Sequence, residues 1–411
     1  MRTSHDMTQE EQRKKFYEAA KAFTPSAPVD DFDLFAGRTM QVSQVLNAVA
    51  QKGQHVVIYG ERGVGKTSLA NVLKHILSRY SKNESCVVKV NCEGKSTPSS
   101  IWRTALREIP TFQERPPAGF SGKKDAQKID LNALIPDDVS ADDVRHVLRK
   151  LPGEPVIIFD EVDRITSKRT ITALSDTVKS LSDNAVPTTL ILVGVADSVG
   201  DLIAEHASIE RALVQVLMPR MSPTELREVV FKGLKKVGMT ISEPALAKIV
   251  RLSHGLPHYT HLLALYSAQA AIGEDSLEIT NKPVQVAVSE SVEKAQQSIQ
   301  SAYFTAVTSS RGNLYRQVLL ACALAPVDEL GYFQTINVKE PMNRIMKKPY
   351  EIAAFIGHLH DFCSKERGAI LQQIGARRRY RYRFVNPLMQ PYVVMRGLRD
   401  ELITEELWDF S

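Results

Sequence analysis

The sequence predicts an α/β fold: a parallel sheet covered by helices on both faces, then an all-helical unit, then a small C-terminal domain. Three observations carry this. Short apolar runs, VVIY (56–59), CVVKVN (86–91), VIIFD (156–160), TLILVGVA (189–196) and ALVQVL (212–217), alternate with helical patterns. Runs of that length separated by helices belong to a sheet buried on both faces. From Met221 the texture is wholly helical, and near the C-terminus two amphipathic helices precede a strand, a Gly375 turn and a second strand. Helices followed by a two-stranded hairpin suggest a winged-helix module.

At 411 residues the chain exceeds one ordinary core. The expected divisions are an N-terminal helical arm (1–31), an α/β core (32–221), a helical lid (222–304), a winged-helix domain (305–399) and an acidic tail (400–411). In the arm, Thr8 and Glu11 have capping-box spacing, and Pro25 and Pro28 end a helix over 8–23. A free arm and a docking helix are equally open. Phe35 to Arg38 then leads into a helix whose Val42, Val45, Leu46 and Val49 share a face. Between the second and third strands, helices are expected over 98–109 and 138–151, and a further one over 170–181. The interval 110–136, with Pro116-Pro117, Gly119 and Gly122, reads as an exposed insertion. In the lid, Ser222-Pro223-Thr224-Glu225 combines an N-cap, a proline at the first helical position and an acid at N3.

Composition excludes some classes. With 43% apolar and 24% charged residues the chain reads as soluble and globular. No run approaches 18 apolar residues, and the start MRTSHDMTQEEQRKK has no apolar core, so a cytoplasmic protein without a membrane span is expected. Four cysteines without CxxC spacing suggest neither a zinc site nor a disulfide framework. The net charge of +5 is uneven: residues 305–399 hold 15 Lys/Arg against 6 Asp/Glu, and 400–411 hold five acids.

The motif that organises the chain is Gly60-Glu61-Arg62-Gly63-Val64-Gly65-Lys66-Thr67-Ser68, between a strand and a helix. Its glycines let backbone N–H groups point inward and cradle a polyphosphate, and the helix N-terminus adds partial positive charge. Lys66 is placed to reach the β- and γ-phosphates and the Thr67 hydroxyl to hold Mg²⁺. Four apolar residues then deliver Asp160-Glu161 to the C-terminal end of a strand, where open parallel sheets bind ligands. Asp160 is expected to orient Mg²⁺, and Glu161 to act as general base on the attacking water.

GERGVGKTS followed by VIIFDEVD resembles the AAA+ branch of the P-loop ATPases, and is similar to the origin-recognition initiators and the STAND signalling ATPases. The resemblance spans about residues 32 to 395 and implies an ATPase using ATP and Mg²⁺. It implies a sensor residue after the fourth strand, at Asp197, where the family usually has Asn, Ser or Thr. An ionised Asp accepts hydrogen bonds and cannot donate one to a phosphate. It implies an arginine finger acting on a neighbouring subunit, hence a homo-oligomer, at Arg211; an ion pair with Glu210 or Glu205 is the alternative. It places His258 of Gly255-Leu256-Pro257-His258 where the lid usually carries a sensor arginine, and Gly-x-Pro there resembles the STAND lid.

Three functions follow as expectations. The first is an ATP-timed, DNA-associated assembly factor, supported by Arg377, Arg378, Arg379, Arg381 and Arg383, interleaved with Tyr380 and Tyr382. On a strand Arg379, Arg381 and Arg383 share one face, a row suited to a phosphate backbone. The second is a STAND-type switch triggered by a protein or ligand, in which the winged helix clamps the nucleotide. That family's histidine after the wing is missing, since the stretch reads Phe384-Val385-Asn386-Pro387, and His360 is the other histidine in reach. The third is a protein remodeller with Phe112 and Phe120 in a pore loop. A protein partner is expected in each, its identity unknown.

Overall fold

The computed structural model describes residues 7–80, 86–110, 112–115, 125–128, 130–203, 209–309, 314–376 and 379–404. Five parallel strands form the central sheet: β1 (His55–Gly60), β2 (Val87–Asn91), β3 (Val156–Asp160), β4 (Thr189–Val195) and β5 (Leu213–Leu217). Their order is β2-β3-β4-β1-β5. The register pairs Gly60 with Val195 and Asn91 with Asp160, so the ends of β1, β2, β3 and β4 share one edge. Alternation divides each strand between two cores. Val56, Ile58, Ile158, Ile191 and Val193 face α2 (Thr39–Val49) and α3 (Lys66–Tyr80). Val57, Ile157, Phe159, Leu190 and Leu192 face α4 (Pro98–Glu108), α5 (Ala141–Leu148) and α6 (Lys168–Asp183). Trp102 meets Phe159 edge to face, at 5.2 Å between ring centroids, and each such fully buried side chain contributes about 1.5–3 kcal/mol.

Sequence expectations and elements agree within a few residues in this half. In the interval 110–136, Phe112–Arg115 pairs antiparallel with Asp125–Lys128, and Leu131–Leu134 makes a 3-10 turn. Phe120 lies outside the described residues.

The lid comprises α7 (Pro223–Val237), α8 (Glu243–Leu252), α9 (Pro257–Gly273) and α10 (Asn281–Glu293). Ser222 and Glu225 form the expected capping box, and Pro223 opens α7. The first helix, α1 (Gln9–Ala22), packs on α7 and α9 rather than standing free. Its Ala19, Ala22 and Phe23 belong to the lid core. Of the two possibilities for this segment, the structure takes the docked one.

The C-terminal part follows through α11 (Gln297–Val307), which crosses residue 304 and ties it to the lid. Then come α12 (Tyr315–Leu324), β6 (Phe333–Gln334), α13 (Thr335–Met346), α14 (Ile356–Phe362), β7 (Leu371–Ile374), β8 (Arg381–Phe384) and α15 (Met389–Arg399). β8 lies between β6 and β7 in an antiparallel sheet. The hairpin is as expected; the sequence reading missed α13, α15 and β6, and the second of the two amphipathic helices expected before the hairpin is broken into α14 and two 3-10 turns. α15 packs on α8, α10 and α12, so lid and C-terminal domain share one core.

Candidate nucleotide site

The phosphate loop hangs between β1 and α3. Gly60, Gly63 and Gly65 take φ of 147°, 86° and 95°, conformations that side chains resist. At Gly60 a Cβ would also strike the Met218 carbonyl, so the loop starts in contact with the chain leaving β5. Lys66 Nζ donates to the Gly60 and Glu61 carbonyls at 3.0 and 2.8 Å. Burial pushes its ammonium down to about 8, against the attraction of Asp163, Asp160 and Glu61. Val64 is buried, Thr67 and Ser68 half-buried, and Arg62 and Gly63 exposed. Ser68 Oγ accepts the Val29 amide at 3.1 Å, so the segment after α1 reaches the loop's helix. Arg38, buried, braces the loop from behind through the Val64 and Pro219 carbonyls at 2.8 and 2.7 Å.

Asp160 and Glu161 end β3 at the same edge, and their surroundings differ. Asp160 is 2% exposed; its Oδ1 accepts the Glu161 amide at 2.9 Å. Its Oδ2 lies 2.9 Å from Lys89 Nζ but receives no hydrogen bond. Glu161 adopts φ 58° and pairs with Arg164 at 2.8 Å. The Asp160 carboxylate, with a hydroxyl at a helix start, is a hard oxygen set that fits Mg²⁺ completed by substrate phosphates. No cluster of three His, Cys, Asp or Glu that could hold a metal by itself occurs among the described residues.

The residues in the sensor positions are engaged elsewhere. Asp197, just past β4, accepts from the Tyr332 hydroxyl at 2.7 Å and pairs with Arg383. Both partners come from the C-terminal domain. His258, near the start of α9, meets the Pro25 carbonyl through Nδ1 at 2.7 Å, and burial lowers its pKa. Arg211 is exposed in a 3-10 turn before β5 and has no ion pair among the described residues. Leu213 pairs with His55 at the start of β1, so about 16 Å of strand separates Arg211 from its own phosphate loop.

The hairpin arginines do not form one solvent-facing row. The alternation holds, with Tyr382 buried and Arg379 and Arg381 exposed. Yet Arg383 turns onto Asp197 and Gln372, Arg381 pairs with Asp328 at 3.1 Å, and both lie over the Tyr332 ring. Arg377 and Arg378 lie outside the described residues. His360 sits among Tyr380 and Tyr382, with Gln373 3.2 Å away.

Sequence reasoning missed Arg220. It binds Glu61 of the phosphate loop through two bonds, 2.7 and 3.0 Å, and donates to Gln390 of α15 at 2.7 Å. A signal existed: an acid inside a polyphosphate loop needs a cation nearby.

A model of the family described as Novel STAND NTPase 1 matches residues 17–321. Among solved structures, the fold is similar to a Walker-type ATPase of Pyrococcus abyssi, with 15% identity, TM-score 0.52, and 90% of this chain and 99% of that one covered. It also matches the Aeropyrum pernix Orc1 protein, solved in complex with DNA, at 14% identity and TM-score 0.49, covering 95% and 98% of the two chains. Cdc6p from Pyrobaculum aerophilum matches at 14% and 0.46, covering 93% and 99%. No curated protein matches the sequence. No helix among the described residues is long and apolar enough to cross a membrane. The family match covers most of the chain, including both phosphate-site motifs, and the fold is that of an AAA+ P-loop NTPase; the chain belongs to the Novel STAND NTPase 1 family.

Proposed function

We propose that this protein is an ATP-hydrolysing switch whose C-terminal domain, closed on the core, is released according to the nucleotide bound. One observation carries the reading: Asp197, in the position of a phosphate sensor, is taken up by Arg383 and Tyr332 of the C-terminal domain. Lys66 and the loop amides would bind the phosphates, and Thr67 with Asp160 would hold Mg²⁺, which when bound would neutralise charge on the phosphate oxygens. Glu161 leaves Arg164 to take the proton of the water that attacks the γ-phosphorus, while the bond to the bridging oxygen breaks. Arg211, a strand's length from its own site, serves a neighbouring copy in an assembly.

The DNA-associated reading draws on the same arginines. Arg381 and Arg383 are held by carboxylates here, so a duplex must displace Asp328 and Asp197 to use them; Arg379 alone of the described three is left to solvent. That ordering favours the switch, with any nucleic-acid contact following opening.

The test is Arg383→Ala, read by release of a fluorescent ADP and by duplex binding at two salt concentrations. Opening the contact should speed ADP release by about tenfold, the equivalent of one charged hydrogen bond. Unchanged release removes the switch. Salt-dependent duplex binding by the parent that is lost in the variant moves the assembly-factor reading to first place.

A further inference from the structure

Around Glu61 four parts of the chain converge on one buried polar knot. Glu61 and Arg220 have side-chain exposures of only 3% and 10%. Arg220 reaches three ways: to both Glu61 oxygens, to the His254 carbonyl of the lid at 3.3 Å, and to Gln390 Oε1 of α15. Gln390, 1% exposed, is itself fixed by its Nε2 donating to the Ala323 carbonyl of α12 at 2.9 Å. The loop before β6 closes the knot: a Cβ on Gly331, whose φ is 81°, would fall 2.5 Å from Glu61 Oε1 and 3.0 Å from Arg220. Only a glycine lets that backbone approach.

Glu61 faces two ways. Its carbonyl holds Lys66, the phosphate-binding lysine, while its carboxylate holds Arg220 and through it the C-terminal domain. Polyphosphate that draws Lys66 away removes the bond fixing the Glu61 peptide, and the carboxylate end of the same residue is the start of a chain of largely buried bonds. Such a chain can carry a shift because its members, at 10% exposure or less, have little water to fall back on.

We propose that Arg220 is a positioning residue that couples occupation of the phosphate loop to the seating of α15, through Glu61 on one side and Gln390 on the other. This rests on the switch reading and deepens it. It separates two contacts: the one at Asp197 holds the domain closed, whereas the one at Arg220 reports the nucleotide.

Removing Arg220 outright leaves Glu61 buried and uncompensated, which can unfold the site. The test therefore uses Gln390→Met, which keeps volume and leaves the Glu61–Arg220 pair, with Arg220→Lys as second variant. Amide hydrogen exchange of α15 is compared with Mg²⁺ and either ADP or a non-hydrolysable ATP analogue, beside the affinity for each. In the parent, α15 exchange should differ between the two nucleotides by about tenfold; in both variants the difference should shrink to about twofold while Gln390→Met keeps its affinities within about threefold. A full nucleotide-dependent difference in Gln390→Met overturns the coupling and leaves the switch standing. A loss of affinity of about tenfold or more in that variant reduces the knot to a brace for the loop, which also overturns it. No difference in the parent removes the switch reading and this inference together.

Discussion

Two aspartates mark the same edge of the sheet, Asp160 at the end of β3 and Asp197 just past β4, and they are held in opposite ways. Asp160 is buried and paired with Lys89 from the next strand of its own core. Asp197 is a third exposed and is paired with another domain. Breaking a buried pair by losing one partner costs about 3–5 kcal/mol, whereas a solvent-reached pair is screened and contributes roughly 1 kcal/mol. In the proposed reading the first arrangement fixes a carboxylate where an ion and phosphate would meet, and the second would open and close at a cost that nucleotide binding could supply. One edge of one sheet thus carries both a buried pair and a solvent-reached one, and burial is what distinguishes them.

The largest expected effect lies on the rigid side. Lys66→Ala should weaken nucleotide binding by about a hundredfold or more, and Glu161→Gln should leave binding intact while turnover falls by about a hundredfold. Titration with a fluorescent nucleotide and phosphate-release assays separate the two; normal turnover by Glu161→Gln would break the assignment of the base. Next in size, Arg211→Ala should lower turnover about tenfold or more without touching affinity, with rescue on mixing with Glu161→Gln, because mixed interfaces pair an intact Arg211 with an intact Glu161. A rate per subunit that is independent of protein concentration ends that idea.

A pH titration sharpens the comparison further. With its folded value pushed down to about 8, Lys66 sheds its proton above that pH in the nucleotide-free protein, and bound phosphate keeps the proton on. Affinity should therefore fall above pH 8, by up to about tenfold per unit. Between pH 8 and the usual lysine range the unfolded chain holds the extra proton, so this group's share of stability rises with pH while affinity falls. The Asp197 joint should show no such slope, because burial and the bond to Asp197 raise the Tyr332 phenol out of this range. The smallest effect belongs to Tyr332→Phe, which removes one neutral arm of that joint and should speed ADP release about threefold, half the decade expected for Arg383→Ala.

What the sequence made legible follows the reach of local signals. Strand periodicity, the phosphate loop, the Asp160-Glu161 pair and the Ser222 cap are each written within a few residues, and each element lies where its pattern places it. α13 was hidden because Pro341 sits inside it, and α15 because Pro391 and an almost continuous apolar stretch obscure its period. The inward turn of Arg383 could not be read from its strand. Alternation correctly separated arginines from tyrosines, but which arginine finds a carboxylate depends on Asp197, 186 residues away. The same distance problem hid Arg220, whose partner Glu61 is 159 residues off.

The docking of α1 has a consequence for how this protein is made. The first helix of the chain completes a core whose other walls, α7 and α9, end at residues 237 and 273. Phe23 fills the notch that Gly233 leaves, and Lys15 reaches the Val237 carbonyl. At about 5–20 residues per second, the apolar face of α1 waits on the order of tens of seconds for its partners to be synthesised. The last strand of the phosphate-loop sheet, β5, is made before either partner helix, so α1 finds its place only after all five strands of that sheet have been synthesised. During that interval it is the segment a nascent-chain chaperone would meet.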